Sequence, residues 1–166
     1  INQVRKGIKE GWIDVYENQG KTSGAYSFGS YSSMPYILLN YTNTIKDVFT
    51  IVHEMGHSMH SYYTRKTQPY TYGDHSIFTA EVASTVNESL LIQHLLKTEQ
   101  DPEMRKYLIN FYIEEFRTTL FRQTMFAEFE LLAHEEIEKG GVLTPQWLND
   151  TYEHLNSDYF GPAMGK

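Results

Sequence analysis

The stretch Phe49–Tyr63, FTIVHEMGHSMHSYY, decides how the chain is read. It places His53, His57 and His60 at i, i+4 and i+7, the spacing of one side of a helix. Thr44 is a suitable N-cap with Asp47 three residues on, so the spacing predicts a helix from Thr44 to about Tyr63. At about 100° per residue, Ile45, Val48, Phe49, Val52, Gly56, Met59 and Tyr63 form one stripe. That stripe is the expected buried face, with Gly56 allowing a close neighbour. The three histidines fall on the adjacent stripe, at the edge of the expected core.

Within this helix His53, Glu54 and His57 make the pattern H-E-x-x-H. Residues one turn apart can bring both imidazoles to one metal ion. The glutamate beside the first histidine then stands at the edge of the site, where it can take a proton from water at the metal's open position. Two imidazoles and an open position suit zinc. The plainer alternative is a pair of half-buried histidines without a metal. The helix is amphipathic, capped and carries the pair at its core edge, which favours the metal reading.

A catalytic zinc commonly takes three protein ligands. His60 lies about 10 Å along the axis from His53, too far to share an ion seated between His53 and His57. It is read as a supporting or packing histidine. The pattern H-E-x-x-H-x-x-G-x-x-H also fails, because His60 and Tyr63 occupy the places of its glycine and last histidine. The third ligand is therefore expected on another element. The segment FTAEVASTVNESLL offers Glu81 and Glu88, two turns apart on one helix face. Ala80, Ala83, Ser84 and Thr85 around Glu81 would let that helix approach the first closely. Glu81 is the preferred ligand. Glu88 is the alternative ligand, or else the acceptor for a ligand imidazole's other N–H.

Around these two helices the chain divides simply. Residues 1–10 read as the end of a helix. WIDVYE (Trp12–Glu17), SGAYSFGSY (Ser23–Tyr31) and PYILLNY (Pro35–Tyr41) read as strands of a small antiparallel meander. A helix capped by Ser76 runs to about Lys97. Asp101-Pro102 opens a long helix that Lys139-Gly140-Gly141 ends, and Thr144-Pro145 opens a last one ending near Gly161. No repeat, low-complexity segment or internal domain boundary is visible, so residues 1–166 are expected to form a single catalytic-core domain.

Composition narrows the function classes. A chain of 166 residues with 14% aromatics can bury a core. A net charge of −7 leaves no basic footprint for nucleic acid. No apolar run approaches the length of a membrane span. The sequence contains no cysteine, which removes disulfides, thiolate metal sites and a cysteine nucleophile, and fits a reducing cytoplasm. The chain begins without methionine and stops after a Gly-Pro turn, so it is expected to be part of a longer chain.

VHEMGHSMHSYY followed by FTAEVASTVNESLL resembles the thimet oligopeptidase-like metallopeptidases, within them the oligoendopeptidase F group. SGAYSFGSYSSMPYILLNYTNTIKDVFTIVHEMGHS and FRQTMFAEFE (Phe121–Glu130) carry the same likeness, which covers most of the chain. The resemblance implies a mainly α, zincin-like fold of the gluzincin type with a small N-terminal sheet. It implies one zinc ion bound by His53, His57 and Glu81, Glu54 as general base, and oligopeptide substrates. It also places the GAYS strand, Gly24 to Ser27, beside the site, where its edge, with Gly24, Ala25 and Tyr26, could pair with an extended peptide. The family's transition-state tyrosine and histidine belong further along. Tyr152, His154 and Tyr159 do not match that motif.

The expected activity is thus zinc-dependent endopeptidase action on short peptides in the cytoplasm. Two other readings stay open: a zinc exopeptidase, and a catalytically incomplete metal-binding or scaffold domain. An exopeptidase needs a group that captures a free terminus, and no convincing one is visible.

Overall fold

The computed structural model describes residues 1–161. The described residues form two compact units, Ile1–Thr98 and the remainder from Glu99.

The first unit begins with helix α1 (Asn2–Lys9) and three short strands, β1 (Ile13–Asp14), β2 (Tyr26–Phe28) and β3 (Tyr36–Leu38). Helices α2 (Ile45–Thr67) and α3 (Ile77–Thr98) complete it, separated by a 3₁₀ turn at Tyr70–Tyr72. The strands are shorter than the apolar segments suggest, and the sheet is mixed where an antiparallel meander was expected. The strand order is β1-β3-β2. Strands β2 and β3 pair antiparallel, with Ser27 opposite Ile37, whereas β1 runs parallel to β3. A meander would have joined β1 to β2. The long link Val15–Ala25, with Gly20 and Gly24 at positive φ, instead carries the chain past the place of β3. β3 therefore lies between the other two.

Helix α2 starts where the sequence signals it. Thr44 and Asp47 form a reciprocal capping box. One oxygen of Asp47 accepts from the backbone N–H groups and hydroxyls of both Thr42 and Thr44, at 2.8–3.0 Å. These donors, the Thr44 backbone first, hold the Asp47 carboxyl down at about 2. A small core of Ile37, Leu39 and Met55 joins the sheet to α2, with Val4, Ile13, Ala25, Ile51 and Met59 packed around it.

The buried face of α2 differs from the expected stripe. Phe49 and Gly56 are buried as expected, but so are Glu54, Met55 and Ser58, while Tyr63 is exposed. One stripe would suffice if α2 met one neighbour. It meets the sheet on one side and α3 on another, so the buried arc widens and takes in polar positions.

The second unit holds α4 (Pro102–Glu115), a π-helical segment (Phe116–Phe121), α5 (Arg122–Glu138) and α6 (Pro145–Phe160). The caps Asp101 and Thr144 accept from the backbone N–H groups of Glu103 and Trp147. The single long helix expected from Asp101 is interrupted by the π segment. There Thr118 and Thr119 turn their hydroxyls back onto the carbonyls of Glu114 and Glu115, a local competition with the α-helical ladder. Tyr152 packs on Phe126 and Phe129, and Tyr159 donates to Glu128 at 2.7 Å.

Candidate metal centre

Helices α2 and α3 converge on three ligand-type atoms. His53 Nε2 and His57 Nε2 are 3.1 Å apart. Glu81 Oε2 on α3 lies 3.4 Å from the first and 3.5 Å from the second. Ligands about 2.0–2.1 Å from a tetrahedral zinc stand about 3.3–3.4 Å from one another. The triangle matches that spacing, so the donor set fits such an ion. It mixes two imidazoles with one carboxylate, a combination that suits zinc.

The helices come this close because of Gly56. A Cβ there would stand 2.7 Å from the Ala83 carbonyl oxygen and 2.8 Å from Ser84 Cα. Both are backbone atoms, which cannot swing aside. The small residues of α3 meet α2 opposite this glycine, and Asn87 Nδ2 adds a bond to the Val52 carbonyl at 3.4 Å.

The outer nitrogens of both histidines are engaged. His53 Nδ1 lies 3.2 Å from Glu88 Oε1. Donation from Nδ1–H to that carboxylate leaves Nε2 with its lone pair toward the triangle. Glu88 is thus placed behind His53, while Glu81 is the carboxylate that faces both imidazoles. Burial opposes charge on His53, but the carboxylates of Glu88, Glu54 and Glu81 together outweigh it and raise the pKa. Burial lowers that of His57 against the pull of Glu81, while a ring N–H of His57 meets the Ala80 carbonyl.

His60 takes no part in the triangle. Its ring stacks on His75, with centroids 3.8 Å apart and planes 20° apart. Burial and the neighbouring His60 push His75 down. His75 precedes α3, and no pattern in the sequence links it to His60.

Glu54 is 7% exposed, on the flank of α2 that faces the sheet. Burial pushes its carboxyl up, His53 opposes this, and the neighbouring Glu81 adds to the rise. Its carboxyl also meets the backbone N–H of Ser27. That direction follows from the strand register. Ile37 donates to Trp12 on the β1 side, so its β2 partner Ser27 sits at a non-hydrogen-bonded pair. The N–H and C=O of Ser27 therefore point away from β3, toward the outer edge. One turn beyond Glu54, the fully buried Ser58 meets the Ser27 hydroxyl at 2.7 Å and donates to the Pro35 carbonyl at 3.2 Å.

Of the residues expected to meet a substrate, Tyr26 begins the edge strand β2 and is exposed. Ala25 packs toward the core. The Gly24 carbonyl accepts from Asn40 at 2.8 Å. The strand residue that reaches the acid is their neighbour Ser27. Of the other residues at the site, Ser27 is expected from the sequence only as the end of the strand beside the metal and Ser84 only as a small residue, while no sequence signal points to Ser58 or His75.

A histidine pair and a glutamate on two packed helices could hold a metal ion, with a buried glutamate beside them. The model of Peptidase family M3 matches residues 1–166, and the chain belongs to that family. It is 55% identical over 161 residues to Oligopeptidase PepF of Bacillus subtilis (strain 168), covering 97% of this chain and 24% of the relative. It is 52% identical over 159 residues to the chromosomal Oligoendopeptidase F of Lactococcus lactis subsp. cremoris, covering 96% and 26%. The crystal structure of oligoendopeptidase-F from Enterococcus faecium superposes with a TM-score of 0.58 at 50% identity, over 72% of this chain and 20% of that one. The chain thus spans about a quarter of the length of these curated relatives. Among the described residues, no helix is long and apolar enough to cross a membrane.

Proposed function

We propose that the chain carries the active centre of a zinc-dependent endopeptidase that hydrolyses short oligopeptides. The observation that supports this most directly is the triangle of His53, His57 and Glu81 with the buried Glu54 beside it. Zinc bound by these three residues, one per chain, would supply Lewis-acid polarisation of the scissile carbonyl and of water. Glu88 holds the His53 ring so that Nε2 faces inward. Glu54 is the general base. It takes the proton of the attacking water and later hands it to the leaving amine. Burial favours its protonated form, which makes the carboxylate a stronger base than one in water.

The strand at Gly24, Ala25 and Tyr26, at the outer edge of β2, is the surface along which an extended peptide would pair. Peptide substrates agree with the names of the relatives, which are oligopeptidases and oligoendopeptidases. A net charge of −7 argues against nucleic acid as a partner. The cysteine-free sequence supports a cytoplasmic location.

The test is Glu54→Gln in the full chain, with metal analysis and a peptide substrate blocked at both ends. The variant should keep one zinc per chain and lose about 10²- to 10⁴-fold in turnover. Unchanged turnover would remove Glu54 from its role. A wild-type chain that takes up no metal would remove the site. Cleavage confined to peptides with a free terminus would turn the reading to an exopeptidase.

A further inference from the structure

Ser84 lies on α3, three residues after Glu81, and is fully buried. Its hydroxyl stands 2.8 Å from Glu81 Oε2 and 3.0 Å from the Glu81 carbonyl oxygen. A serine hydroxyl has one proton, so these two acceptors compete for it. The Thr85 hydroxyl already donates to that carbonyl. A carboxylate is also the stronger acceptor. The Ser84 proton therefore goes to Oε2.

Oε2 is the oxygen that faces His53 and His57 at 3.4 and 3.5 Å. The Glu81 side chain is otherwise 55% exposed, against 27% and 18% for the two histidines. It is the least enclosed member of the triangle. Left alone, a glutamate so open to water would spread over several rotamers, and holding one would cost conformational entropy. Ser84 itself has little freedom. It sits where α3 touches α2, with its Cα against the space that a Gly56 side chain would need. The helix crossing fixes Ser84, and Ser84 in turn fixes the oxygen.

We infer that Ser84 is a positioning residue of the metal centre, its hydroxyl holding Glu81 Oε2 at the ligating place opposite the histidine pair. This inference rests on the metal-site reading given above. Ser84 joins two jobs in one small side chain. Its size lets the helices meet, and its hydroxyl orients the carboxylate. Alanine can do the first job only, because it lacks the donor.

The test is Ser84→Ala in the full chain, with zinc affinity measured by chelator competition and the absorption of bound Co²⁺ as a second readout. Zinc affinity should fall about 10- to 100-fold, the usual cost of losing an outer partner of a ligand. The unfolding midpoint of the metal-free chain should stay near that of wild type. Ser84→Cys, which keeps a weaker donor, should bind zinc more tightly than Ser84→Ala. A wild-type chain that binds no metal overturns the metal-site reading itself. Metal binding by wild type and equally by Ser84→Ala overturns this inference alone. So does a loss of zinc affinity matched by a fall in the metal-free unfolding midpoint, which would make Ser84 merely structural, and so does a reversed order of cysteine and alanine.

Discussion

The two flanks of α2 are built by different means. Toward α3 the contact is backbone on backbone. Gly56 leaves no side chain, and the Ala83 carbonyl and Ser84 Cα fill the space. Toward β2 the contact is made by polar groups, the hydroxyls of Ser58 and Ser27 and the carboxyl of Glu54 against a strand N–H. The first flank brings Glu81 to the histidines. The second brings the proposed base to the edge of the sheet. Steric contact sets a distance within tenths of an ångström, because repulsion rises steeply. Hydrogen bonds add direction, which a base needs if it is to face one particular water.

If the flanks are separate devices, variants should separate metal binding from turnover. The largest effect falls on what both flanks share. His57→Ala removes a ligand and should abolish zinc uptake and turnover together, beyond the about 10- to 100-fold expected from losing an outer partner. Zinc affinity close to wild type, measured against a chelator, would dissolve the triangle.

Next comes Gly56→Ala on the α3 flank. The added Cβ meets backbone atoms at 2.7 and 2.8 Å, so α3 must shift. Overpacking of this kind costs about 1–3 kcal/mol in stability. It should also weaken zinc binding, because Glu81 moves with the helix. A denaturant titration and a zinc titration on the same variant would show whether the two losses go together.

Ser58→Ala probes the β2 flank. It leaves the Ser27 hydroxyl without its partner and removes the donor from the Pro35 carbonyl, at a cost of about 1–3 kcal/mol. Zinc content should stay at wild-type level while peptide turnover falls. A loss of zinc in this variant would merge the flanks into one device.

The smallest effect is at the start of α2. The Asp47 carboxyl is held at about 2, below its ordinary 3.8, by the caps of Thr44 and Thr42. A depressed carboxyl stabilises the fold above pH 3.8 and loses that contribution as pH falls toward about 2. Asp47→Asn should flatten the stability profile in that window and leave zinc binding near neutral pH unchanged. A profile of unaltered slope would mean that the cap does not report on folding.

Much of the site could be read from local spacing. His53, Glu54 and His57 lie within five residues, and a helix places them whatever its surroundings. Glu81 and Glu88 were legible as a pair on one helix face; their distances place Glu81 against both imidazoles and Glu88 behind His53. The helix caps Thr44, Asp101 and Thr144 are equally local signals. The sheet was less legible. β3 pairs parallel with β1 and antiparallel with β2, an order that no alternation of side chains encodes. The serines were illegible for a related reason. A hydroxyl is at home on a surface, in a cap or in a core, and only its neighbours say which.

From the sequence alone come the histidine pair, the glutamate between them, the capped helices and the family likeness, because each rests on residues within a few turns of one another. Only the tertiary structure chose which glutamate faces the imidazoles, which flank of α2 holds the acid, and which buried serines tie these groups in place. Apart from the tie of Ser84 to Glu81, three residues away on the same helix, those choices depend on distances between residues 23 to 35 positions apart along the chain, and helix crossing and strand order set such distances, not spacing along one helix.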